Sequence, residues 1–246
     1  MNDLAIIGLI SARMAPPNSW SAGGITLVFA LFAWLVRGVT TSGAVAGAMV
    51  SFALIRGVGW GGFLALGTVF LLTWISTRIG YSRKLKLGTA ESRRGRDWMQ
   101  VFANLAVAAG CAALYGFAHH PRFAAGVAAA LAEASGDTVE SELGQAVGGV
   151  PRLLTSGKRV AIGTDGAITV RGTLAGVLSI STVIAVCFAT GVVDRRAAFI
   201  SAGAAVAATL LDSLLGATLE RRRRLGNNAV NFLSTLAAAA ITFALS

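Results

Sequence analysis

The stretch FAAGVAAALAEASGDTVESELG, residues 123–144, decides how this chain is read. Its first half is as apolar as a membrane span, yet Glu133, Asp137, Glu140 and Glu142 follow within it. An ionised side chain in the middle of a membrane helix costs about 2.5–3.5 kcal/mol on insertion scales, so such acids are functional candidates by default. The surrounding composition points the same way. The chain has 246 residues, 55% hydrophobic and only 13% charged, with a mean hydropathy of +0.70. A soluble domain usually carries about 25% charged residues. The composition therefore predicts one integral membrane domain over residues 1–246, an all-α, polytopic transmembrane helix bundle.

Apolar runs predict spans near residues 21–37, 40–56, 60–79, 98–118, 121–135, 171–193, 197–219 and 227–245, about eight with a range of seven to nine. The second and fifth are short, which suits discontinuous or half-buried helices. GAVAG (Gly43, Gly47) and GTLAG (Gly172, Gly176) read as small-residue packing pairs. The opening MNDLAIIGLISARMAPPNS lacks a basic start and a long apolar run, and reads as an interfacial segment ended by Pro16 and Pro17. Cys111 and Cys187 lie inside apolar runs and read as small core residues, not a disulfide or metal pair.

The net charge of +10 would suggest nucleic acid in a soluble protein. Here it has a topological cause. Three connections, residues 80–98, 151–171 and 220–227, are strongly basic, and with eight spans all three fall on one side. They hold most of the lysines and arginines, so this side is predicted to be cytoplasmic with both termini opposite. Nucleic acid is not an expected partner. The run Arg221–Arg224 reads mainly as topology and head-group contact, whereas Arg83, Lys84, Lys86, Arg93 and Arg94 are interleaved with Gly88, Glu91 and Gly95, which suits phosphate contact. AIGTDGAITVRG, residues 161–172, combines turn chemistry with a short alternating run and predicts a small hairpin.

On a continuous helix Glu133, Asp137 and Glu140 share a face, while Glu142 points elsewhere. Joint action of Asp137 and Glu142 requires a helix break, for which Ser135-Gly136 is a candidate. Asp212 lies at similar depth in LLDSLLGA, as do Gln100, Asn104, Asn227, Asn228 and Asn231. For Gln100 and Asn104 interhelical glue is the lesser alternative, whereas Glu133 and Glu140 read equally as solvated or snorkelling positions. Carboxylates beside many cations suggest phosphate chemistry with a divalent metal. No P-loop is present: SGKR at 156–159 lacks the first glycine and the hydroxyl.

Five blocks together resemble a known family: SRKLKLGTAESRRGRDWMQVFAN (82–104), ASGDTVESELG (134–144), PRLLTSGKRVAIGTDGAITVRGTLAG (151–176), LLDSLLGATLE (210–220) and NNAVNFLSTL (227–236). They are similar to the integral membrane phytyl-phosphate kinases, themselves distantly similar to dolichol kinases and CDP-diacylglycerol synthases. One departure is at Asp137–Glu142, where the family usually has Asp-Thr-Trp-Ala-Thr-Glu and this chain has DTVESE. The resemblance implies a CTP-dependent kinase converting a prenyl monophosphate to the diphosphate at the cytoplasmic face of a membrane, by analogy the bacterial inner membrane. It implies a Mg²⁺ shell of Asp137, Glu142 and Asp212. It also implies nucleotide or phosphate contacts from Lys84, Lys86, Gln100, Arg94, Asn104, Arg152, Thr155, Lys158, Thr164, Thr173, Asn228 and Asn231, with backbone donors at Gly163–Gly166. The partners would be CTP or another NTP and a membrane-embedded prenyl monophosphate, and a homodimer stays open. Two rival readings stand beside it: a CTP:prenyl-phosphate cytidylyltransferase, and an ion-coupled transporter or channel using Glu133, Asp137 and Asp212.

Overall fold

The computed structural model describes residues 16–246; the interfacial segment expected before Pro16 lies outside them. The described chain forms eight helices: α1 (Ser19–Leu35), α2 (Thr41–Arg78), α3 (Tyr81–Leu87), α4 (Trp98–Ala118), α5 (Pro121–Val147), α6 (Val170–Ala189), α7 (Arg195–Leu215) and α8 (Asn227–Leu245). A π-helical turn, Gly216–Glu220, extends α7. Five helices are long and apolar enough to cross a membrane: α2, α4, α6, α7 with its π turn, and α8. Large apolar side chains such as Leu27, Val28, Leu178 and Phe199 cover the outside. The chain is a multi-pass, all-α integral membrane protein.

Helix α2 doubles back on itself. A straight helix of 38 residues would be about 57 Å long. Yet Arg78, its last residue, donates from Nη2 to Val36 O at 2.6 Å, just ahead of its first residue. The reversal is at Gly59, which has φ 72° and ψ −159°, a backbone state open mainly to glycine. Gly57 then packs on the backbone of Ala112, and Gly61 on Thr190 and Val192. The α2 turn thus joins the α4–α5 and α6–α7 connections at one end of the bundle. The two expected runs, 40–56 and 60–79, are the two limbs of this hairpin.

Helix α5 is the axis. Every residue from Ala124 to Gly136 is buried, as expected of a helix apolar on all sides. It packs against α2, α4, α6, α7 and α8. His120 caps it and Pro121 starts it. It runs unbroken to Val147, so the break expected at Ser135-Gly136 is absent and the span expected over 121–135 is nearly twice as long. Small residues permit this crowding. A Cβ at Gly172 would lie 2.6 Å from Glu140 O, and one at Gly176 would lie 2.9 Å from Gly136 O. The Gly172/Gly176 pair therefore seats α6 directly on α5. Of the other pair, Gly43 packs against Arg96 O, whereas Gly47 has open space beside it. Cys111 and Cys187 are buried core residues.

The hairpin expected within 161–172 takes a different form. Ala167–Ile168 is a strand, but it pairs antiparallel with Arg152–Leu153 upstream. The turn residues 163–166 are left free to face the helices.

Gly172→Ala should destabilise the protein by about 1–3 kcal/mol, because the added carbon meets backbone that cannot swing aside. Gly110→Ala, with nothing within 4 Å of the added carbon, should be neutral or stabilising. Thermal unfolding in detergent separates the two.

Candidate active site

Helix α5 carries its acids on two sides, with opposite surroundings. On one side stand Glu133, Asp137 and Glu140. Asp212 of α7 comes to meet them, and its carboxyl group lies within hydrogen-bond reach of Asp137. Glu133 is 1% exposed and sits beside both acids and Ser234. Glu140 accepts from Thr173 Oγ1 at 2.6 Å. Asp212 Oδ2 and Glu133 Oε1 are buried with no hydrogen-bond partner. An unpaired buried carboxylate oxygen is expensive, so this side of α5 holds more negative groups than its donors and the nearby Arg96 offset.

A cavity of about 200 Å³ opens here, lined by Asp137, Glu140, Asp165, Asp212, Glu220 and Asn227. Its outer wall is the turn Gly163–Gly166. Gly166 has φ +68°, and a Cβ there would lie 2.1 Å from Ala217 N. The turn is thus pressed onto the start of the π-helical turn, which presents Glu220 to the cavity. Isolated π turns recur at functional sites, where they re-aim side chains. Among the described residues no group of three or more acidic, histidine or cysteine side chains is placed to hold a metal ion.

Glu142 has a different role from the one expected. Five positions on from Asp137 along an unbroken helix, it faces away from that cavity. Its Oε2 takes a hydrogen bond from Lys84 Nζ at 2.5 Å and its Oε1 one from Thr77 Oγ1 at 3.2 Å. Lys84 is fully buried and also donates to Ser76 O at 3.1 Å and Thr77 O at 2.8 Å. All three ammonium protons are used. The three-carboxylate shell of Asp137, Glu142 and Asp212 does not assemble, and Lys84 is not free for phosphate. Both residues form a buried pair that ties α3 and α2 to α5.

A second, larger cavity of about 410 Å³ lies between α1, both limbs of α2, α4 and α5. Phe29, Ala30, Ala33, Leu66, Val69 and Phe70 make it apolar in depth, while Arg37, Arg78, Arg93 and Arg96 stand at its mouth. Arg96 connects the two sides of α5. It lines this cavity, and its Nη1 donates to Thr138 Oγ1 at 3.4 Å. Its guanidinium is within electrostatic reach of Asp137. Its backbone is held between Gly38 O and Thr40 N. Asp97 then caps α4 in a capping box with Gln100.

The sequence matches known proteins. The integral membrane protein family DUF92 matches residues 24–239, which run from α1 into α8. The chain belongs to this family. It is 34% identical over 193 residues to an uncharacterized membrane protein of Synechocystis sp., covering 76% of this chain and 75% of the relative. It is 30% identical to Protein VTE6, chloroplastic, of Arabidopsis thaliana, covering 81% of this chain but only 63% of that protein. A third relative, an uncharacterized membrane protein of Methanocaldococcus jannaschii, is 30% identical, with 86% and 87% covered. No solved structure matches. The family resemblance drawn from the five sequence blocks is upheld by these matches.

Within the family fold the expected contact residues divide. Thr164 lines the acidic cavity, and Thr173 touches it through Glu140. Gln100 and Asn104 line the apolar cavity; Gln100 also holds Glu91, and Asn104 accepts from Asn231 Nδ2 at 3.5 Å. Lys86, Arg94, Thr155 and Lys158 are exposed and line neither cavity. Arg152 spends Nη1 on Gly157 O at 2.7 Å. Asn228 is half-buried beside Asn227, which is the one that reaches the acidic cavity. Sequence reasoning passed over Arg96, Asp165 and Glu220. The signal for Arg96 was its place directly before the Asp97-x-x-Gln100 cap, which pins it at a helix start.

Lys84→Met leaves Glu142 as an uncompensated buried charge and should cost about 3–5 kcal/mol. Adding Glu142→Leu should recover most of that loss. Unfolding measurements on the two variants would disprove the structural pair if the second substitution made matters worse. Gly166→Ala should unseat the outer wall and enlarge the acidic cavity, read as faster hydrogen exchange over residues 160–169 with the helices still protected.

Proposed function

We propose that the protein is a membrane phosphotransferase of the prenyl-phosphate kinase type: CTP and a prenyl monophosphate give CDP and a prenyl diphosphate. The observation that carries this reading is the Asp137–Asp212 pair, two adjoining carboxyl groups in a polar cavity, near Arg96, which lines a cation-mouthed apolar cavity and bonds Thr138 beside Asp137. Family membership supports it, since the resemblance is to phytyl-phosphate kinases.

Two carboxylates are the usual protein share of a Mg²⁺ site, because the ion keeps waters and takes substrate phosphates as its other ligands. Asp137 and Asp212 fit an ion that arrives with a nucleotide, and the unpartnered Oδ2 of Asp212 is a free ligand for it. When bound, the ion would neutralise the β- and γ-phosphates. The chain's own residues supply the rest. The Gly163–Gly166 turn offers backbone donors to phosphate oxygens. Thr164 and Asn227 line the same cavity and suit ribose or base contact. Arg96 neutralises the acceptor phosphate and holds it toward Asp137. An acceptor oxygen attacks the γ-phosphorus, the bond from that phosphorus to the β-bridging oxygen breaks, and CDP leaves with its electron pair. The acceptor is a phosphomonoester, mostly dianionic at neutral pH, so no general base is needed. Positioning and charge neutralisation are the catalysis.

The orientation belongs to the same proposal. With α2 as a hairpin the described residues would cross eight times. Both cavities then open on the face holding Arg78–Arg96, Arg152–Arg171 and Arg221–Arg224. Among the described residues only Arg56, Arg122, Arg195 and Arg196 flank the opposite turns. By the positive-inside rule the cavities face the cytoplasm of a bacterial inner membrane.

The test is incubation of the purified protein with farnesyl, geranylgeranyl and phytyl monophosphates, Mg²⁺ and CTP labelled at the α- or γ-phosphorus. Label from the γ position should reach the lipid, and EDTA should abolish the transfer until Mg²⁺ is restored. Label from the α position would make the protein a cytidylyltransferase. No label from either would leave the transporter reading. Asp137→Asn and Asp212→Asn should each lower transfer about 100-fold or more in folded protein, whereas Lys158→Gln should change it little.

A further inference from the structure

We infer that the apolar cavity between α1, α2, α4 and α5 is the seat of the acceptor lipid, and that it holds a single-tailed prenyl monophosphate with about three isoprene units. The inference rests on the phosphotransferase reading for its substrate class, and on the cavity itself for position and length.

The cavity has the two ends that such a lipid needs. Its depth is aromatic and aliphatic, with Phe29 set edge-on to Phe70, ring centres 5.6 Å apart. Its mouth carries Arg37, Arg78, Arg93 and Arg96. Arg78 and Arg93 are braced over Trp74 and Tyr81, at 3.8 and 5.3 Å from the ring centres. Arg37 has φ 55°, the left-handed position that glycine normally takes just past a helix end. Gly38 follows it directly, so a strained arginine stands where glycine was the relaxed choice. That strain places a cation at the cavity mouth.

Size selects the tail. At about 30 Å³ per water-sized group, 410 Å³ takes about fourteen such groups, enough for one tail and too few for the two chains of a phospholipid. Length agrees. Arg37 to Phe29 is about 12 Å along α1, and Arg78 to Leu66 about 18 Å along α2. An extended chain advances about 1.2 Å per bond, so a four-bond isoprene unit takes about 5 Å and the depth takes about three. The phosphate would then rest at Arg96, beside Thr138 and one side chain from Asp137.

The experiment is equilibrium binding of tritiated farnesyl monophosphate to the full-length protein in detergent, without nucleotide. Affinity should rise from geranyl to farnesyl monophosphate and gain little with geranylgeranyl. Two variants probe the cavity without threatening the fold. Gly47 lines it with nothing within 4 Å of an added carbon, so Gly47→Phe should fill it and weaken farnesyl monophosphate about tenfold or more. Arg37→Gly relaxes the backbone and should weaken the phosphate ester while leaving farnesol binding unchanged. Wild-type affinity in Gly47→Phe would overturn the site. Displacement by dioleoyl phosphatidic acid as effective as by unlabelled ligand would show a general lipid-phosphate groove, and displacement by inorganic phosphate at equal concentration would show an anion site without a tail pocket; either overturns the assignment. Because no nucleotide is present, intact binding with no label transfer would reject the kinase reading and keep the lipid site, and the reverse result would do the opposite.

Discussion

Carboxylates inside a membrane protein have no water to solvate them, so each must be matched by a cation, a hydrogen-bond donor or a ligand. Helix α5 concentrates this demand, since it is enclosed on all sides and still carries four acids. Glu142 is matched by Lys84 and Thr77, and Glu140 by Thr173. Asp137 and Asp212 are brought together instead, with Arg96 near the first and Ser234 within hydrogen-bond reach of the second. One helix therefore holds two kinds of acid: those that fasten the bundle and those left short of positive charge. In the proposed reaction the second kind is where a metal–nucleotide complex would gain most on binding, because it would supply the charge that the fold withholds.

The rest of the architecture makes that arrangement reachable. Glycines at 136, 172 and 176 let α6 lie directly on α5, which frees the opposite flank. The α2 hairpin leaves room there for the apolar cavity. The turn at 163–166 and the π-helical turn of α7 close over the acidic side. Arg96 stands where the two spaces meet, fixed by main-chain bonds to the α1–α2 turn. In the proposed reaction a lipid phosphate and a nucleotide phosphate would so approach each other across one turn of α5, while the lipid's tail stayed out of water.

Membrane class, basic face and the depth of the acids were legible along the chain, because each depends on composition or on spacing within one segment. Apolar runs marked every helix but the short α3, which lies in the stretch 80–98 read as a basic connection, and 40–56 and 60–79 marked both limbs of α2. The error at Ser135-Gly136 shows the limit. Gly136 looked like a breaker, since glycine lowers helix stability, yet it is a contact point for α6. Lys84 and Glu142 looked like phosphate and metal ligands because their types suit that chemistry. Their mutual pairing joins residues 58 positions apart, and no local pattern encodes it.

By itself the sequence determined that this chain is a polytopic helical membrane protein of a recognisable family, with acids and cations gathered at one face. Periodicity, hydropathy and charge asymmetry are local properties, and the bilayer converts them directly into spans and sides. Only the tertiary structure decided which acids face each other, which lysine is spent on the fold, and that Arg96 stands between two cavities. Those outcomes depend on how helices rotate about their axes when packed, and a rotation of a fraction of a turn exchanges a structural pair for a site.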